Sequence, residues 1–187
     1  MKIMKTIIEK IDKNQKNTDI IREAGRILKE GGLVAFPTET VYGLGADALN
    51  EDAAKKIYAA KGRPSDNPLI IHITNMKALD KIVSEVPEKA VKVAEKYWPG
   101  PLTMIFNKSD IVPYGTTGGL DTVAVRMPVD EIEREVIDAG GGYIAAPSAN
   151  TSGRPSPTTA QHVAEDLTGR VDMIVDGGAV EIGVEST

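Results

Sequence analysis

Apolar positions along the chain change their period repeatedly, and each change marks an element. Ile20, Ala24, Ile27 and Leu28 recur at helical spacing after Thr18 or Asp19, either of which can cap a helix, and Gly31-Gly32 ends the run. Residues 33–36 follow as a short aliphatic stretch, read as a buried strand. Asn50 is placed to cap a second helix, with Glu51 and Asp52 near its positive end and Ala53, Ala54, Ile57 and Tyr58 on its apolar face. Residues 69–73 are rich in β-branched side chains and read as a strand. A third helix is expected from Asn75, with Leu79, Ile82 and Val83 inward. A fourth starts at Pro87, carries Val91, Ala94 and Trp98 inward and stops at Pro99-Gly100.

Residues 102–106 and 122–126 read as strands separated by a Gly/Thr-rich loop. Residues 130–138 read as a short helix, 143–146 as a strand, 147–158 as a polar loop, 159–167 as a helix and 173–176 as a strand. Strands and helices interleave, so the fold class is α/β (α+β). The connections are not βαβ throughout, so a mixed sheet is expected rather than an all-parallel one.

The chain has 187 residues, 41% hydrophobic and 26% charged, with no cysteine. One core of ordinary size fits that length, and a single domain is the simplest organisation. Aromatics are only 4%, so small and branched aliphatics must build the interior. The 22 basic and 27 acidic side chains give a formal charge of −5, which argues against a sequence-independent nucleic-acid binder. The absence of cysteine removes disulfides, thiolate zinc sites and cysteine nucleophiles. No signal-peptide h-region opens the chain, and no apolar run is long enough to span a bilayer. A cytoplasmic protein without membrane contact is expected.

Three segments concentrate polar chemistry next to predicted strands. Residues 37–45 (PTETVYGLG) crowd two hydroxyls, a carboxylate and a phenol beside two glycines. Such a segment reads either as a ligand loop, where glycine lets the backbone approach closely, or as a strand-to-helix loop of turn residues. Residues 61–68 (KGRPSDNP) place Lys61 and Arg63 around a glycine at a helix end. They suit a polyphosphate grip or complementation of the helix dipole. Residues 147–156 (PSANTSGRPS) leave an apolar strand, as ligand loops do in α/β folds, or form a surface loop. Arg126 ends the strand 122–126 and must meet an anion or solvent. His72 lies inside 69–73 and reads as a hydrogen-bonded core histidine before it reads as a catalyst.

No P-loop, Rossmann fingerprint, Gly-x-Ser-x-Gly elbow or His-Glu-x-x-His pattern occurs. With two histidines in the chain, a His-rich metal centre is excluded. What remains is hydroxyls, amides and cations, a set suited to a phosphorylated ligand.

Taken in order, PTETVYGLGADA, KGRPSDNPLIIHI, WPGPLTMIF, VAVRMP, APSANTSGRPSPT and GVEST resemble the YrdC/Sua5 family from about Thr18 onward. The resemblance implies a twisted mixed sheet with flanking helices around a deep, positively charged cavity. It implies formation of L-threonylcarbamoyladenylate and pyrophosphate from L-threonine, bicarbonate and ATP, for N6-threonylcarbamoylation of a tRNA adenosine completed by a transferase complex. Thr40, His72, Arg126, Ala146 and Ser186 are then expected at a threonine site. Arg63, Asn67, Thr122, Ser148 and Ser156 are expected at an ATP site, joined by Lys61 and Asn150. Lys61 and Arg63 would be catalytic through their charge. Mg2+ would come bound to the ATP phosphates, with no metal site built from protein. Residues 1–17 would be an N-terminal extension. The family's last strand, an Arg-Pro-Gly-type segment and any C-terminal Sua5 domain would lie outside these residues. The competing reading is an RNA-binding module using the same basic cavity, with weak RNA contact and no adenylation.

Overall fold

The computed structural model describes residues 4–12 and 14–180. Among them are the strands β1 (Ile7–Lys10), β2 (Val34–Pro37), β3 (Tyr42–Asp47), β4 (Ile70–His72), β5 (Thr103–Asn107), β6 (Thr122–Arg126), β7 (Ile144–Ala145) and β8 (Met173–Asp176). The helices are α1 (Thr18–Lys29), α2 (Glu51–Lys61), α3 (Met76–Ile82), α4 (Glu88–Tyr97), α5 (Tyr114–Thr117), α6 (Glu131–Ala139) and α7 (Ala160–Leu167). The strands form one sheet in the order β1-β8-β2-β3-β7-β4-β6-β5. β8 runs parallel to β1 and β2, and β4 parallel to β6. The remaining pairs are antiparallel, so the sheet is mixed, as the interrupted βαβ pattern predicts.

Side-chain caps start four helices where polar residues precede apolar periodicity. The side chains of Asn50, Asn75, Asp130 and Thr159 each accept the N–H three residues on, at 3.2, 2.9, 2.9 and 3.2 Å. Helix α1 differs from expectation. Neither Thr18 nor Asp19 caps it; Asn17 holds the cap position, and its side chain is committed backwards, donating to the Asp12 carbonyl at 2.8 Å.

Two strands were not legible in the sequence. Residues 42–47 are β3, so 37–45 is a hairpin arm and a tight turn, neither a ligand loop throughout nor a strand-to-helix connection. Its glycines make room for an aromatic ring: a Cβ at Gly45 would meet Phe36 Cε1 at 2.5 Å. Residues 7–10 form β1 at the sheet edge, with every side chain exposed.

Alternate residues of a strand face opposite sides, and registered partners share a side. One face carries Ala35, Leu44, Ala46, Ala145, Ile71, Val123, Val125 and Phe106, all within the larger core. That core includes Ala53 and Ile57 of α2, Leu79 of α3, Ala94 of α4 and Val163 of α7. The opposite face carries Val34, Phe36 and Ile144, which join Ala24, Ile27 and Leu28 of α1 and Val136 and Ile137 of α6 in a second core. That second core ends at β7. Beyond it the same face presents half-buried Ile70 and Ala124, then Ile105 at 71% exposure. No helix of the described residues is long and apolar enough to cross a membrane.

The pair α1 and α6 meets at Gly25, where an added Cβ would lie 2.5 Å from the Ala139 carbonyl oxygen. Replacing a mid-helix glycine by alanine ordinarily stabilises by about 1 kcal/mol, whereas overpacking costs about 1–3 kcal/mol. Here the intruding atom meets backbone, so overpacking wins. Gly25→Ala is expected to lower the denaturation midpoint, measured by urea titration.

Candidate functional site

The end of α2 meets the loop that follows β7. Lys61, the last residue of α2, is 3% exposed. Its ammonium donates to the Ser148 carbonyl oxygen, with Ser148 Oγ at 3.5 Å. The Ser152 N–H donates back to the Lys61 carbonyl at 2.7 Å. Ser148 also forms a bridge with Gly43 of β3. Ala146 lies beside the same glycine, 3.6 Å from the position a Cβ there would take. Asn150, 6% exposed, donates to the carbonyls of Thr151 and Arg154 at 2.9 and 2.8 Å. Lys61, Ala146, Ser148 and Asn150 therefore form one neighbourhood.

A second neighbourhood adjoins it on the open face. His72 and Arg126 are register partners on β4 and β6, 3% and 2% exposed. Arg126 donates through Nε to the Gly100 carbonyl at 3.2 Å and through Nη2 to the Glu39 carboxylate. Thr40, in the same β2–β3 turn, is 4% exposed, its hydroxyl 3.2 Å from that of Thr38. His72 Nδ1 and Glu133 Oε1 share a hydrogen bond of 2.5 Å. Burial draws the Arg126 guanidinium down from its usual pKa, and the Glu133 charge opposes that fall.

Three buried side-chain oxygens among the described residues lack a hydrogen-bond partner: Thr103 Oγ1, Glu133 Oε2 and Asn150 Oδ1. Thr103 is the register partner of Arg126, Glu133 holds His72, and Asn150 follows Ser148 by two residues. Buried polar atoms are almost always paired, so their gathering around these two neighbourhoods marks ligand-facing chemistry. Thr103 and Glu133 were not picked out in the sequence. Glu133 had a readable signal: it precedes Val136 and Ile137 by three and four residues, on the buried stripe of α6.

Other expected residues sit further along the same connections. Arg63 donates to the Pro68 carbonyl at 3.0 Å, fastening the 62–69 connection on itself. The Asn67 side chain is exposed, while its carbonyl accepts from Tyr58 Oη at 2.8 Å. Thr122 opens β6, on the same face as Arg126 but at the far end of the strand. Ser156 precedes Pro157, whose carbonyl accepts the Tyr42 N–H at 2.8 Å. Ser186 lies outside the described residues.

A separate recess of about 1200 Å³ lies between α1, α6, Ile11 and residues 15–18, and none of the expected site residues lines it. It is lined by charges of both signs, and Arg26 is already paired with Glu23 and Glu30.

Comparison with known proteins now decides the family. The Sua5/YciO/YrdC family model, described as telomere recombination, matches residues 26–187. The chain belongs to this family. It is 59% identical over 167 residues to a Pyrococcus abyssi protein named threonylcarbamoyl-AMP synthase, covering 89% of this chain and 49% of that protein. A Bacillus subtilis protein of the same name is 52% identical over 188 residues, covering 100% of this chain and 54% of its own length. The crystal structure of P. abyssi Sua5 complexed with L-threonine superposes with a TM-score of 0.94 at 56% identity, covering 97% of this chain and 53% of that one. The chain thus spans about half the length of these family relatives.

The β2–β3 hairpin of this family member is anchored by Tyr42. Its phenol donates to the Gly178 carbonyl at 2.6 Å and accepts the Gly177 N–H at 3.1 Å. Burial pushes the phenol pKa up to about 12, against the Gly177 hydrogen bond, which lowers it. A folded-state pKa raised above the unfolded value gives stability present below about pH 10 and lost as pH rises through about 12. Tyr42→Phe is expected to cost about 1–3 kcal/mol at neutral pH by orphaning the two glycine groups. Urea melts of both proteins between pH 9 and pH 12 check this, and the gap between them should narrow across the upper part of that range.

Proposed function

We propose that this chain carries the site that joins L-threonine, bicarbonate and ATP into L-threonylcarbamoyladenylate, releasing pyrophosphate. The observations that carry the reading are a buried lysine seated on the Ser148 loop and a buried arginine–histidine pair on neighbouring strands. The names of the P. abyssi and B. subtilis relatives and the threonine-bound P. abyssi structure support it.

The amine of threonine takes up CO2 or bicarbonate to give N-carboxythreonine, releasing a proton or water. A carbamate oxygen then attacks the α-phosphorus of ATP, and the bond to the bridging oxygen of pyrophosphate breaks. No protein nucleophile takes part. Lys61 and Arg63 supply positive charge for the phosphates, while Ser148, Asn150, Asn67, Thr122 and Ser156 place the nucleotide. Arg126 takes the threonine carboxylate in place of Glu39, with His72, Thr40 and Ala146 around the amino acid and Ser186 completing its site. The strand-end loops enclose a deep, positively charged cavity that shields the carbamate from water.

Among the described residues no group of three or more His, Cys, Asp or Glu is arranged to hold a metal ion. Magnesium would come with ATP, and it would supply charge neutralisation for the leaving pyrophosphate beside Lys61 and Arg63. The product then passes to a tRNA-modifying transferase complex in the cytoplasm.

The test is incubation of the protein with ATP, L-threonine, bicarbonate and magnesium, reading pyrophosphate, with L-serine replacing threonine as control. Threonine-dependent release is expected, and Lys61→Ala or Arg63→Ala should each lower it by about 10²-fold or more. Release that ignores threonine, or that survives both substitutions, contradicts the reading.

A further inference from the structure

Glu133 is fully buried, at 0% exposure, on the stripe of α6 that also carries Val136 and Ile137. A carboxylate there costs several kcal/mol of desolvation, and an apolar residue of similar volume would serve packing as well or better. Its Oε1 lies 2.5 Å from His72 Nδ1, and its Oε2 has no partner. One His72 ring nitrogen is thus committed to α6, and Nε2 is the atom left for a ligand. His72 is also the register partner of Arg126. Resting on the threonine-site reading above, we propose that Glu133 is a positioning residue for that site: it fixes the His72 ring so that Nε2 faces the amino acid beside Arg126. This is how carboxylates set the tautomer and aim of functional histidines elsewhere.

The chain has two histidines, so the test has a built-in reference. Protein labelled with 15N-histidine is observed by long-range 1H–15N NMR, and His162→Gln assigns the second signal set. Wild-type His72 should show a protonated Nδ1 with a far-downfield proton. Adding L-threonine should move Nε2 of His72 and leave His162 unmoved. Glu133→Gln should abolish the downfield proton, leave the thermal midpoint unchanged or higher, and weaken L-threonine binding in calorimetry by about 10-fold or more. In a His72→Asn background, Glu133→Gln should cost no further affinity.

A wild-type His72 protonated at Nε2 and not at Nδ1 overturns the proposal, as does unchanged threonine affinity in Glu133→Gln. A fall in thermal midpoint matching the fall in affinity assigns Glu133 a structural role and overturns it too. If Glu133→Gln does not fold, the wild-type tautomer and the threonine titration decide. If the wild-type protein binds no threonine while Nδ1 is protonated, the substrate reading fails and the Glu133–His72 hold stands.

Discussion

Two helices cannot cover one face of an eight-stranded sheet. Strands lie about 4.8 Å apart, so eight of them span about 38 Å. Each helix with its side chains covers about 10 Å. Helices α1 and α6, drawn together at Gly25 and Ala139, close over β8, β2, β3 and β7 and leave β4, β6 and β5 open on that side. The three strands beyond that pair span about 14 Å. The rest of the molecule responds to that gap. On that side Arg126 and His72 of β6 and β4 are nonetheless buried, Arg126 against Gly100 and Glu39 and His72 against Glu133 of α6. Lys61, at the end of α2, is seated on the Ser148 carbonyl.

Burial sets the electrostatics of this open half. Arg126 and Lys61 are almost wholly withdrawn from solvent, and each is satisfied by a carbonyl or carboxylate from a neighbouring connection. Cations held this way are preorganised: their desolvation is met on folding and does not recur when an anion arrives. The recess between α1 and α6 differs in kind. It is lined by charges of both signs, and Arg26 there is half exposed and paired within its own helix, where pairing contributes little.

Much of the scaffold was legible because capping and period agree. Asn50, Asn75, Asp130 and Thr159 each announce a helix that the structure begins there, and the strands 122–126 and 173–176 agree in both bounds. β3 was not legible because glycine at 43 and 45 carries no side-chain alternation; its reason for glycine, the ring of Phe36, comes from another strand. β1 is an exposed edge whose pairing depends on β8, far along the chain. The Gly/Thr-rich loop hid the short helix α5. In the candidate site, Lys61 with Ser148 and His72 with Arg126 could be named from their loops and strands. That His72 and Arg126 share one side of the sheet follows only from register, while Lys61 comes from α2, whose apolar residues lie in the core on the other side. Glu133 could have been suspected from its place on the apolar stripe of α6, whereas Thr103 became visible only once burial and hydrogen bonding were known, since a lone Thr in a strand is ordinary in sequence.

The most direct measurement of the proposed site is amide hydrogen exchange with and without ATP and L-threonine together. Slowed exchange concentrated in residues 38–45, 61–72, 122–126 and 146–152, with α1 unaffected, is the result this account predicts. Protection confined to the α1–α6 groove, residues 16–30 and 131–139, would contradict it.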